Sequence, residues 1–125
     1  MPNRKNQTEH DNLVKTVANY LISQNFTDVK ADIEGYLQPS KITWTATGEG
    51  HIPDVSAIIN NTQHIYEIET EETMSIEHTK NQFVLFSEFA KGHKAVFHIV
   101  VPADCKNDAV AQANEWGITA EVNGI

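Results

Sequence analysis

Apolar positions along the chain change their spacing several times, and each change marks an element. Leu13, Val14, Val17, Ala18, Leu21 and Ile22 recur at i, i+3 and i+4, the spacing that lines one face of an α-helix. Asn6 or Thr8 can cap this helix, and Asn6 with Glu9 three residues later has the form of a capping box. Glu9 stacks beneath Leu13 and His10 beneath Val14, so both extend the stripe and Glu9 can face inward. Past Asn25 the period falls to two. Val29, Ala31 and Ile33 alternate with Lys30, Asp32 and Glu34, as on a strand with one buried face. Ile42, Trp44 and Ala46 alternate again before Gly48-Glu49-Gly50, a second short strand or an ordered loop.

Two apolar runs then flank Asn60-Asn61-Thr62-Gln63, and Asn accepts the left-handed backbone that tight hairpins require. With Asn60-Asn61 as a two-residue turn, Asp54 falls opposite Glu67; with a four-residue loop it falls opposite Glu69. A three-residue loop would instead set it opposite Ile68. Both even loops put the carboxylates on one face, because strand side chains alternate with period two. Like charges on facing residues are destabilising. The strand ends must therefore splay into water, an acid must take up a proton, or a divalent cation must sit between the oxygens. An amphipathic strand with Glu67, Glu69 and Glu71 on its solvated side has the same pattern.

Thr73 or Ser75 can cap a second helix that runs to about Ala90, with Gly92 as its stop. Ile76, Phe83, Phe86 and Ala90 form one apolar stripe and Leu85 and Phe89 a second, so this helix packs on two sides. His78 and Gln82 share a face, and Lys80 lies elsewhere on the same helix. Residues 95–101 are an almost unbroken β-branched and aromatic run, as in a strand covered on both faces. Asp104 can cap a last helix that ends at Trp116-Gly117, and residues 118–122 can form a final strand. The order of elements predicts one α/β domain over residues 1–125, with three α/β/α layers around a mixed sheet.

Composition narrows the chemistry. The net charge of −8 opposes gripping nucleic acid by bulk attraction, although cations at an acidic site reverse the local field. Lys91, His93 and Lys94 cluster, as phosphate contacts or as a solvated helix end. One cysteine, Cys105, excludes an intramolecular disulfide and is expected to be a packing residue in a reducing cytoplasm. No apolar run approaches the length that spans a bilayer, and the polar start is no secretory signal. No Cys-His spacing suggests zinc. No glycine-rich phosphate loop or nucleophile-bearing turn appears.

Pro53-Asp54, twelve intervening residues, then Glu67-Ile68-Glu69 before a helix and a buried strand, resembles the PD-(D/E)xK nuclease superfamily. The resemblance covers roughly residues 6 to 101. It implies a restriction-endonuclease-like core and Mg²⁺ or Mn²⁺ held by Asp54, Glu67 and the carbonyl of Ile68. Glu69 stands at the place of that family's lysine, where a carboxylate can bind metal or orient water. The resemblance also implies that Lys80 can arrive from the following helix to align water. Gln82 with Phe86 is similar to a Gln-x-x-x-Tyr element of some members, and Glu9 to a first-helix metal ligand of others. It further implies DNA as substrate and phosphodiester hydrolysis as the reaction, with a homodimer or partner subunit adding specificity. A module that keeps the core without catalysis is the alternative.

Overall fold

A computed structural model describes residues 4–71, 73 and 76–125. The first helix, α1, spans Arg4–Ser23. The strands that follow are β1 (Thr27–Ala31), β2 (Ile42–Thr43), β3 (Gly50–His51), β4 (Val55–Ile59) and β5 (Thr62–Ile68). Helix α2 (Glu77–His93), strand β6 (Val96–Val101), a 3-10 turn at Ala103–Cys105, helix α3 (Lys106–Trp116) and strand β7 (Glu121–Gly124) complete the chain. Five strands form a mixed sheet in the order β1-β4-β5-β6-β7, and β2 pairs with β3 in a separate ribbon. Strands β1, β4 and β5 are antiparallel neighbours. Strands β5, β6 and β7 run parallel, as a helical crossover requires.

Period-two alternation divides the core between the sheet faces. Val14, Val17, Ala18 and Leu21 of α1 meet Val55, Ala57, Tyr66, Ile68 and Val100 on one face. On the other, Phe83, Phe86 and Ala90 of α2 and Ala109 and Ala113 of α3 meet Ile65, Phe97, Ile99 and Val101. Helices therefore cover both faces of a mixed five-stranded sheet. Cys105 lies within this second cluster as a buried packing residue. Among the described residues no helix is long and apolar enough to cross a membrane.

The hairpin closes on two residues. Ile59 pairs with Thr62 and Val55 with Tyr66, while Asn60 and Asn61 take φ values of 52° and 64°. Both central residues are thus left-handed, the form whose twist matches the flanking strands.

Helix ends depart from the expected caps. Helix α1 starts before Asn6 and Thr8, so neither caps it, and Ile22 is solvent-exposed rather than on the buried stripe. Ser75 lies outside the described residues, and α2 begins after Ile76 with no side-chain cap. Gly92 remains inside α2, which ends at Lys94 in the left-handed conformation with φ 54°. Basic Lys91 and His93 in the last turn favour continuation there through the helix dipole. Asp104 sits in the 3-10 turn and does not cap α3, whereas Gly117 ends α3 with φ 69° as expected. A left-handed lysine carries a Cβ clash that glycine lacks, so Lys94→Gly is expected to stabilise the fold by roughly 1 kcal/mol. A denaturant midpoint that fails to rise would contradict this.

A candidate acidic site between two helix starts

The two-residue turn sets Asp54 across from Glu67, and backbone hydrogen bonds lock the pair. The Asp54 amide donates to Glu67 Oε1 at 3.0 Å. The Ile68 amide donates to Asp54 Oδ2 at 2.8 Å. Glu69 follows two residues along the same face, its amide held by the Val100 carbonyl at 2.9 Å. Three acids thus converge where Gln7 and His10 of α1 and the first turn of α2 approach the sheet. Together with Gln7, His10, Thr73, His78, Thr79 and Gln82 they line an open cleft of about 420 Å³. The positive end of the α2 dipole favours negative charge there.

His10 completes the electrostatics. Its Nε2 lies 3.3 Å from Asp54 Oδ2, and that hydrogen bond is the main reason its pKa rises to about 9. His10 is four residues before Val14, so it shares the inward line of α1. Glu9, one residue and about 100° away, is exposed and does not line the cleft. The first helix therefore contributes a cation where a carboxylate was expected.

Burial dominates the other two acids. Glu67 is 3% exposed and Glu69 6%. Desolvation, reinforced by Asp54 and then by Glu69, pushes the Glu67 carboxyl well above its usual range. Desolvation and Asp54 push Glu69 up to about 8. A hydroxyl contact agrees with a protonated Glu69. Thr79 Oγ1 lies 2.7 Å from the Thr73 carbonyl and 3.1 Å from Glu69 Oε1. It has one hydrogen, which the nearer carbonyl can take only as an acceptor. A protonated Glu69 then donates to the Thr79 oxygen and satisfies both contacts. Of the three ways to relieve the facing charges, proton uptake is combined here with a histidine counter-charge.

The remaining expected residues divide. Gln82 lines the cleft, while Lys80 is half-buried on α2 and is not among its lining residues. Ile68 contributes its amide to Asp54 and its side chain to the α1-side core. His51 packs edge-on against His78 at 5.4 Å. His98 is a buried core histidine, 2.8 Å from His64. His10, His78, Thr73 and Thr79 were not among the expected site residues. His10 had a readable signal in its place beneath Val14, and His78 in the helix face it shares with Gln82.

Among the described residues no group of three or more His, Cys, Asp and Glu is arranged to hold a metal ion. The Asp54–Glu67 pair nevertheless suits Mg²⁺, which takes one or two carboxylates and keeps several waters. No family model, no curated protein and no solved structure matches the chain.

Proposed function

We propose that this chain is a nuclease-like domain that hydrolyses phosphodiester bonds in DNA with Mg²⁺ or Mn²⁺. The observation that carries the reading is the locked Asp54–Glu67 pair at the edge of an open cleft, at the positions of the PD-(D/E)xK resemblance. The succession of helix, strand, hairpin, helix and parallel strand supports a restriction-endonuclease-like form of the α/β fold. Asp54 and Glu67 would hold the cation, with the main chain at Ile68 beside them. When bound, it would supply Lewis acidity toward a phosphate oxygen and toward water.

The chain's own groups have distinct tasks. The Ile68 amide and His10 orient Asp54, and the Asp54 amide orients Glu67. Glu69, which holds its proton up to about pH 8, exchanges a proton with water near neutral pH, where acid–base catalysis is most effective. Gln82 and His78 offer hydrogen bonds to a phosphate from the α2 wall. Lys80 is assigned no contact with the reacting groups.

One observation favours a second reading, a nuclease-fold module without activity. The position of the usual lysine holds Glu69, buried against Thr79. Calorimetric titration with Mn²⁺ and a plasmid-nicking assay separate the two. The proposal expects saturable Mn²⁺ binding, lost in Asp54→Ala and Glu67→Ala, and cleavage lost in Asp54→Ala. Absence of both binding and cleavage selects the inactive module, and cleavage that survives Asp54→Ala defeats the catalytic assignment. Because carboxylates must lose protons to bind metal, Mn²⁺ binding at pH 7 is expected to release protons. Titration in buffers of different ionisation enthalpy reads this directly, and zero release would contradict the raised acids.

A further inference from the structure

A second cleft, of about 330 Å³, lies on the same sheet face as the acids and has the opposite character. Lys30, Lys41 and His93 border it with Ser40, Thr43 and Gln63, and Asp28 is the carboxylate of its lining. Lysines are scarce in this acidic chain, which has only 9 Lys and Arg against 17 Asp and Glu. Their meeting around hydroxyl and amide groups is therefore a local reversal of the overall charge.

Three features of the backbone build this cleft. Strand β1 carries a bulge: Thr27 pairs with Ile58 but Lys30 with Ser56, so two residues of β1 oppose one of β4. Without it, Lys30 would pair with Val55 and point into the α1-side core; with it, Lys30 shares the face of Ser56 and Asp54. Ser56 is two residues from Asp54, about 7 Å along the strand. Second, Lys41 leads into the β2–β3 ribbon, where Thr43 pairs with Gly50, and its side chain passes beside Gly50. A Cβ on Gly50 would lie 2.5 Å from the Ile42 carbonyl, 2.7 Å from Thr43 Oγ1 and 3.1 Å from Lys41 Cε, so glycine lets the two ribbon strands close and the lysine stem pass beside them. Third, His93 Nδ1 is 3.0 Å from the Phe89 carbonyl. That carbonyl can only accept, which fixes a hydrogen on Nδ1, so Nε2 donates to a phosphate only when the ring is protonated.

Charge pairing is sparse here. Lys30 is 3.7 Å from Asp28. Among the described residues no carboxylate lies within 4 Å of Lys41.

We infer that the Lys30–Lys41–His93 cleft binds backbone phosphate of the DNA strand whose reacting bond lies at Asp54 and Glu67. The inference rests on the nuclease reading for the identity of the strand, and on the β1 bulge and Lys41 for the site. Phosphate charges recur about every 3.4 Å of helix axis along one strand, so the offset along β4 admits a phosphate a few nucleotides from the reacting one. Lysine here acts as a point charge on phosphate and reads no base sequence.

The test is anisotropy of a fluorescein-labelled DNA duplex, and of its single strand, at low salt in EDTA, where no cleavage occurs. The Lys30→Gln/Lys41→Gln protein is expected to bind about tenfold or more weakly, with the log–log salt slope smaller by roughly 2. Lys30→Arg/Lys41→Arg is expected to keep the slope. Asp28→Asn is expected to bind more tightly, because it removes the nearest repulsive charge and asparagine accepts the left-handed backbone at that position, φ 52°. Lys15→Gln and Lys106→Gln, outside the cleft, serve as controls, with circular dichroism confirming folding of every variant. Equal affinity and slope for the wild type and the double glutamine variant overturns the inference, as does an absence of DNA binding by the wild type. Lysine-dependent binding by a protein that never cleaves would leave this site standing while the catalytic reading fails.

Discussion

The Glu69→Gln protein is expected to be more stable than the wild type at pH 9 by roughly 2–4 kcal/mol, each pKa unit being worth about 1.4 kcal/mol. At pH 4.5 and below the two proteins should be nearly equal. In the folded protein Glu69 keeps its proton up to about pH 8, against an ordinary value of 4.5. Between those values the folded state binds a proton that the unfolded chain has released, so stability falls as pH rises. Glutamine is the neutral isostere and does not titrate. It also keeps an oxygen and an NH₂ for Thr79, whose contact with Glu69 is 3.1 Å. His10 adds to the wild-type trend in the same direction. Its pKa, raised from 6.5 to about 9 by the hydrogen bond to Asp54, gives a contribution present below pH 6.5 and lost toward pH 9. The variant retains that part. Urea unfolding at pH 5, 7 and 9 in EDTA measures the difference, and a stability gap that stays constant across the series would rule out a buried proton on Glu69.

On the opposite sheet face, His98 is expected to make the protein sensitive to acid. Burial first, and His64 second, lower its pKa from 6.5 to about 4. Tyr66 stacks on its ring at 4.3 Å, and His64 Nδ1 lies 2.8 Å from its Nε2. As pH falls through 6.5 the unfolded chain takes up the proton while the folded protein does not. Stability is therefore complete above 6.5 and declines toward pH 4, by about 3 kcal/mol across the window. Charging both rings would also place two cations with facing nitrogens in contact. His98→Gln removes this titration and still offers hydrogen-bonding groups to His64. Its unfolding midpoint, compared with the wild type at pH 7, 5.5 and 4.5, should lose less on acidification. An equally steep acid decline in the variant would show that His98 is not held neutral.

These opposite dependences place the acid-sensitive group on the α1 side of the sheet and the alkali-sensitive groups in the cleft. Maximum stability is then expected at mildly acidic to neutral pH. A cation at Asp54 and Glu67 would shift the alkaline limb, because binding a group held only by the folded state adds stability by mass action.

Local chemistry was enough for the elements around the site. Asn60-Asn61 between two apolar runs is the signal of a left-handed turn, and strand parity puts Asp54 on one face with Glu67 and Glu69 for either even loop; the two-residue turn of the structure selects Glu67. The buried run before Pro102 and the glycine stop at Gly117 were equally local signals. Helix starts were less readable, because α1 begins ahead of its expected polar caps and α2 has no side-chain cap. In α2, packing of its apolar faces outweighs the missing side-chain cap.

The character of the acids was not readable from their spacing. Whether a carboxyl holds a proton depends on how much water surrounds it, and that follows from the packing of α1 and α2 around the ends of β4 and β5. His10 is 44 residues from Asp54 in the chain, and only the docking of α1 brings them together. Lys30 likewise owes its face to one extra residue in β1, since alternation within a strand does not say how that strand registers on its neighbour. Periodicity within the chain thus set the elements and, for an even loop, the shared face of Asp54, Glu67 and Glu69, which depend on neighbours a few residues apart. Contacts between distant segments set protonation, the histidine partner and the basic cleft, because burial and register exist only once the layers have packed.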